Sequence, residues 1–250
     1  VAKGDTLQLT TAGGAGGTVA MNAAMQGVDD APGEITINAT GTVTIGAAIE
    51  TAAVTAANQT GADYANGRSG AISITTTGAG GLAKTGSGSL KTGAVTGSDT
   101  AADATDGKAQ SGAISVTVVG TVEGVTMTTG VSTIDSITDT QASAVSGSIA
   151  LSGSVIGSGG ALPVLIGTAA DANASTNQTQ GTVSLVTSGA GAAGNISITS
   201  AGPLTVGDIT TAAASAQTIS LATTGGNALT LKSGSTYTGL NDSLGGVAKG

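Results

Sequence analysis

Nearly all the ionisable chemistry of this chain rests on 15 acidic and seven basic residues; there is no His and no Cys. The densest group is Asp99, Asp103 and Asp106, within nine residues that close on Gly107. Hard cations take oxygen donors, so calcium is the candidate ion and these three its candidate ligands. The spacing does not follow an EF-hand loop, and the glycine-rich nonapeptide of calcium-binding β-rolls is absent. A plain polar loop is therefore the competing reading. Asp29-Asp30 is a second, sparser candidate. No other cofactor is implied.

Catalytic arrangements find little to work with. Without His, a Ser or Thr nucleophile lacks its usual base. Lys84 and Lys91 could serve a Ser–Lys pair, but nothing singles out a Ser partner. Glu50, Glu123, Asp135 and Asp208 are the carboxylates that a glycan-cleaving acid–base pair would draw on. Sugar clefts also want aromatic platforms, and Tyr64 and Tyr237 are the whole supply. The glycine cluster Gly78–Gly81 lacks the Lys-Ser/Thr and the helix that a phosphate cradle requires, and reads as a turn. The expectation is a protein that is not an enzyme.

The elements that carry these residues are legible from composition. There are 43 Gly, no Phe and no Trp, and only 9% of residues are charged, yet mean hydropathy is +0.30. Such hydropathy argues against disorder. The apolar residues are mainly Ala, Val, Ile and Leu, which suit a thin core between closely spaced strands. A net charge of −8 excludes a basic nucleic-acid groove or an attraction to anionic membrane. No apolar run approaches the roughly 18 residues that cross a bilayer. The chain opens at Val1 without a signal peptide and reads as a mature product or an excerpt.

One phrase keeps returning. It reads GEITINATG from Gly33, GAISITTTG from Gly70, GAISVTVVG from Gly112, GSIALSG from Gly147, GTVSLVTSG from Gly181 and QTISLATTGG from Gln217. A fainter copy, DTLQLTTAGG, starts at Asp5. Alternation such as Ile72-Ser73-Ile74-Thr75 places aliphatics on one face of a strand and hydroxyls on the other. Each unit is expected to hold three strands: Glu34–Ala39, Thr42–Ile45 and Ala48–Val54 in the second, Ala113–Val119, Val125–Thr129 and Val131–Ile137 in the fourth. In the sixth they are Thr182–Thr187, Asn195–Thr199 and Leu204–Thr210. Polar stretches without alternation follow the third strand, at Asn58–Ser69, Gly97–Ser111, Thr138–Ser146 and Ala169–Gln180, and read as protruding loops.

Three strands per unit with Gly at the bends describe a coil, and parallel connections are overwhelmingly right-handed. The expected fold is all-β: a right-handed parallel β-helix, or β-solenoid, of about seven three-sided coils. Each coil would take roughly 36 residues, with a loop at one corner, in one domain spanning 1–250. One coil cannot bury enough apolar surface alone, so the coils must stack. An antiparallel sandwich would place Asn-Gly or Asp-Gly in tight hairpins; the two examples, Asn66-Gly67 and Asp106-Gly107, fall inside the expected loops.

The phrases GTVTIGAAIETA, GNISITSAGPLTVGDITTA and GAISVTVVG resemble repeats of filamentous-haemagglutinin-like adhesins and of the very large β-strand-repeat surface proteins of bacteria. The resemblance runs from about Asp5 to Tyr237 and differs in period, the usual unit of those families being shorter. It implies a secreted or cell-surface β-helix shaft without catalytic residues, extracellular and filament-forming, with cell-surface glycans as candidate partners. The opening Val1-Ala2-Lys3-Gly4 and the closing Val247-Ala248-Lys249-Gly250 match, and reading one into the other yields an ordinary coil junction. Head-to-tail self-association, or membership of a longer array, is the expectation; neither nucleic acid nor membrane insertion is. The rival function is a flat Thr-rich face binding ice or an ordered glycan; it requires the same Thr positions to align in successive coils, and they align only loosely, Thr75 with Thr117 and then with Ser152. Six Asn-X-Ser/Thr sequons, at Asn38, Asn58, Asn173, Asn177, Asn195 and Asn241, are candidate glycosylation sites.

Overall fold

Ile72, Ile74 and their counterparts in other turns point inward because a strand sends alternate side chains to opposite faces. In the computed structural model this alternation holds strand after strand: Ile72 and Ile74 are fully buried while Ser73 and Thr75, which follow them, are half-exposed. The structure describes residues 7–10, 19–21, 25–26, 33–56, 66–99, 107–136, 142–171, 177–189, 194–212 and 217–238. Among these the chain is all-β, and its strands pair in parallel in stacked sheets, the arrangement of a β-solenoid.

A first ladder runs through Leu7–Thr10, Ile35–Ala39, Ile72–Thr76, Ile114–Thr117, Ile149–Gly153, Val183–Thr187, Leu204–Thr211 and Leu229–Leu231. A second runs through Val19–Met21, Val43–Ile45, Leu82–Lys84, Thr121–Val122 and Val155–Ile156. A third runs through Met25–Gln26, Ala48–Glu50, Ser89–Lys91, Thr126–Thr128 and Leu162–Leu165. The strand Ile196–Ser200 pairs with the last member of both and joins them into one sheet, with Ile219–Thr223 on its far side. Inward residues of these ladders, such as Ile37, Val43 and Ile49, belong to one continuous aliphatic core.

The expected loops are the main correction. Asn66–Arg68, Lys108–Gln110, Ser143–Val145, Ala169–Asp171 and Gln178–Thr179 are strands where loop is expected, whereas Ser132–Ser136 falls within the strand expected at Val131–Ile137. Val54–Ala56, Val95–Asp99, Ser132–Ser136 and Ala169–Asp171 form a four-stranded parallel sheet. Asn66–Arg68, Lys108–Gln110, Ser143–Val145 and Gln178–Thr179 form another. The two pack against each other around a separate small core of Val54, Val95, Ala109, Ile134, Ala142 and Ala144. They make a side arm on four successive coils, each of which has five strands instead of three. Asn177 and Gln178 are part of it: the Asn177 carbonyl accepts the Ala144 N–H at 3.1 Å, and Gln178 pairs with Ala144.

The arm also explains the period. Ile35 pairs with Ile72, 37 residues on, and the next three steps are 42, 35 and 34. Then the step falls to 23, from Val183 to Val206, and it is 25 from Leu204 to Leu229. From first to last strand the arm takes 15, 16, 14 and 11 residues of the four long coils, leaving 22, 26, 21 and 23 for the shaft. Shaft turns are thus nearly constant, and the roughly 36-residue unit holds only where an arm is present. Three assignments shift as a result. In the fourth unit Val125–Thr129 holds the third-ladder strand rather than the second, and Val131–Ile137 holds an arm strand rather than the third. Leu204–Thr210 is not the third strand of the sixth unit but the first-ladder strand of the next turn. The phrase at Gln217 lies on the strand paired with Ile196–Ser200, not on the first ladder.

Where the arm leaves and rejoins the shaft, buried hydroxyls bridge the two chains. Thr92 Oγ1 donates to the Gly112 carbonyl at 2.8 Å and accepts the Gly130 N–H at 3.0 Å. Ser111 Oγ donates to the Gly130 carbonyl at 2.7 Å and accepts the Gly147 N–H at 2.8 Å. One coil earlier Thr51 and Ser69 make the same pair of bonds. One coil later Thr129 and Ser146 accept from Gly167 and Gly181. In the last arm-bearing coil Gln180 Nε2 reaches the Gly167 carbonyl instead. The glycines are required here because adjacent backbones nearly touch: a Cβ on Gly112 would lie 1.9 Å from the Gly70 carbonyl oxygen. Thr92→Val keeps the shape but leaves a buried carbonyl and a buried N–H unpaired, each costing about 1–3 kcal/mol. The expected loss of stability, read from urea midpoints, is therefore at least about 1 kcal/mol.

Candidate functional site

Asp99 ends the arm strand Val95–Asp99 and pairs in register with Ser136. Asp103 and Asp106, its fellow calcium candidates, lie outside the described residues, as do Asp29 and Asp30. Among the described residues no group of three or more acidic side chains is placed to hold a metal ion.

The four carboxylates considered for glycan chemistry sit on four different elements. Glu50, on the third ladder, lies 3.9 Å from Lys91 in the next coil, both partly exposed, a pair of small energetic weight. Glu123, just beyond the second-ladder strand Thr121–Val122, accepts the Ser158 hydroxyl proton at 2.5 Å. Asp208, within Leu204–Thr211, accepts the Thr236 N–H at 2.7 Å. Asp135, in the arm, stands opposite Ser98. The fold brings no two of them together. Lys84 and Lys91 are on neighbouring ladders, and the partner recorded for Lys91 is Glu50.

The aromatic supply is also spoken for. The Tyr237 ring packs on the end of the shaft core, and its hydroxyl lies 3.2 Å from the carbonyls of Val206 and Lys232. Tyr64 lies outside the described residues. Of the sequons, Asn195 uses Oδ1 to accept the Thr218 N–H at 2.8 Å, and Asn38 is half-exposed on the first ladder. Asn177 belongs to the arm, and Asn58, Asn173 and Asn241 lie outside the described residues.

What the fold does assemble is a flat hydroxyl surface on the outer side of the first ladder. Thr75 aligns with Thr117, and Thr117 with Ser152, as the alternation requires. A parallel column runs Thr36, Ser73, Ser115, Ala150, Ser184. The two columns stand about 6.6 Å apart along the strand, and successive coils about 4.8 Å apart. Thr36, Thr75 and Thr117 are β-branched and hold χ1 stiffly. Interruptions are Asn38, Ala150 and Val186; the last is 41% exposed. No charged residue falls in either column from Ile72–Thr76 to Val183–Thr187.

The residues that sequence reasoning missed are the hydroxyls at the base of the arm. Their signal is a Thr-Gly or Ser-Gly pair at each crossing: Ser69-Gly70, Thr92-Gly93, Ser111-Gly112, Thr129-Gly130 and Ser146-Gly147. In so Ser-, Thr- and Gly-rich a chain, these dipeptides do not stand out until the register is known.

Fold and surface together define the class: a parallel β-solenoid with a side arm on its middle turns and a neutral hydroxyl face. No family model matches the chain, and no curated protein or solved structure matches it.

Proposed function

We propose that this protein is a non-catalytic extracellular shaft, a structural or adhesive surface module that stacks end to end as a filament subunit, surface-layer component or segment of a longer array. The shaft is read as a right-handed, three-sided coil, the hand that parallel crossovers strongly favour. The observation that carries the reading is the first ladder, which runs in parallel pairing from Leu7–Thr10 to Leu229–Leu231 with one register shift, at Val183 and Leu185. Each turn offers its neighbour the same backbone edge, and a contact that repeats by translation does not close. Of the carboxylates suited to acid–base work, Glu50, Glu123 and Asp208 lie on or beside separate elements of this shaft and Asp135 lies on an arm strand. Sedimentation of the 250-residue chain at increasing concentration, with electron microscopy of the heaviest species, is expected to show rods that lengthen with concentration. A monodisperse monomer at every concentration, with no longer parent chain, would end this reading.

The register of the hydroxyl columns favours a second reading, a face that binds a flat, ordered and uncharged target such as ice or a crystalline glycan. Thr117→Lys sets a cation in the middle of that face. Wild-type protein should then bind microcrystalline cellulose or shape growing ice crystals, and the variant should do neither. A wild-type protein inert toward both removes this reading.

A further inference from the structure

We propose that the side arm is a separately opening flap: its two sheets part from the shaft as one cooperative layer while the shaft stays folded. The first reason is that the two cores share no residue. The shaft core is built from large aliphatics, among them Ile37, Ile74, Leu90, Met127 and Ile149. The arm core consists of one Ile, two Val and three Ala. Burial stabilises in proportion to apolar area, so the arm holds far less per residue than the shaft.

The second reason is the seal at the base of the arm. Thr51, Thr92, Thr129, Ser69, Ser111 and Ser146 are each at most 4% exposed. Their bonds to glycine backbone join the departing and returning chains just where the shaft core ends. The backbone N–H groups of Ser69, Ser111 and Ser146 also donate to the arm carbonyls of Gln110, Val145 and Thr179, and the Ser111 N–H to Ser132 Oγ, so opening the arm breaks those bonds. The hydroxyl–glycine bonds involve no arm strand and stay in place, keeping water from the aliphatic column. The third reason is that arm-free turns exist in the same molecule. The turns beginning at Val183 and Leu204 carry no arm among their described residues, and their 23- and 25-residue steps match the shaft remainder of the arm-bearing turns. A shaft turn is complete without its arm.

Regions with small cores and short strands open with free energies below that of global unfolding. The flap would therefore expose its strand edges reversibly beside a permanent rod, giving the molecule one surface that changes while its length and axis do not.

Hydrogen exchange of the intact chain, followed by mass spectrometry, tests this directly. Amides of Val95–Asp99, Lys108–Gln110, Ser132–Ser136 and Ser143–Val145 should exchange together, and well before those of Ile72–Thr76, Ile114–Thr117 and Ile149–Gly153. Ile134→Ala empties the centre of the arm core and should raise arm exchange by about 30-fold or more, with shaft exchange unchanged. Ser111→Ala breaks the seal and should speed exchange in both. The proposal fails if arm and shaft amides exchange at one common rate, or if Ile134→Ala accelerates the shaft as much as the arm.

Discussion

Gly112→Ala should destabilise this protein by about 3 kcal/mol or more, at the upper end of what overpacking usually costs. The added methyl would meet the Gly70 carbonyl oxygen at 1.9 Å, its carbonyl carbon at 2.5 Å and the Ala71 nitrogen at 2.9 Å, all of them backbone. A flexible side chain could swing aside, but a parallel ladder cannot. Retreat of the Gly112 backbone would also stretch the bond from Thr92 Oγ1 to its carbonyl and the bond from its N–H to Ser69 Oγ. Urea unfolding reads the effect as a lowered midpoint, or as failure to fold. Gly159→Ala is the matched control, since its methyl would meet only the Glu123 carboxylate, at 3.9 Å. That change should stay within about 0.5 kcal/mol. Equal effects at the two positions would mean that backbone contact at the arm base does not limit stability.

Ile196→Asp should be as severe, for a different reason. Ile196 is fully buried between Ile156 and Ile219, its register partners on either side. Its neighbourhood is aliphatic throughout, so a carboxylate there finds no cation and no donor. Burying an unpaired charge costs several kcal/mol even after the group neutralises itself by taking up a proton. Ser197→Asp, one residue along and half-exposed, puts the same group on the outer face and should leave the circular dichroism spectrum and the unfolding midpoint close to wild type. Should Ser197→Asp unfold the protein and Ile196→Asp spare it, the inside and outside of this strand would have to be exchanged.

The contrast between these two neighbours shows what the sequence makes legible. Where a strand has two or three inward aliphatics, as in Ile72-Ser73-Ile74-Thr75, alternation alone tells which face is core; which strand pairs with which it does not tell, as the phrase at Gln217 shows. The arm strands lack that redundancy. Lys108–Gln110 has one inward side chain, Ala109, and Ser143–Val145 has one, Ala144. A single small residue carries no period, so these strands read as polar loop. Their stability comes from the sheet opposite and from the neighbouring coil, neither of which is local in sequence. The misplacement of Leu204–Thr210 has the same origin: a turn shortened by loss of its arm breaks the expected spacing, and although Leu204 and Val206 are buried two apart as alternation demands, Ile209 is brought inward by the register shift opposite Val183 and Leu185. For the candidate site, the pairing of Thr75 with Thr117 and of Thr117 with Ser152 follows from the recurring phrase, and its replacement of Thr by Ser is the looseness the sequence already shows. The calcium reading rested on proximity along the chain, and two of its three residues, Asp103 and Asp106, lie outside the described residues.

The glycine stack has a consequence for how such a chain can change over generations. A Cβ on Gly112 would strike Gly70, one on Gly147 would strike Gly112, and one on Gly181 would strike Gly147. Each position is constrained by the copy before it and constrains the copy after it, in the same way. A point substitution in the stack therefore drives a side chain into the backbone of the copy before it. Copying or deleting one whole turn injures no joint, since every new joint repeats an old one. Length should thus be the freely inherited variable of this architecture, adjusted by recombination between like segments of the gene, while the residues of the stack stand nearly still.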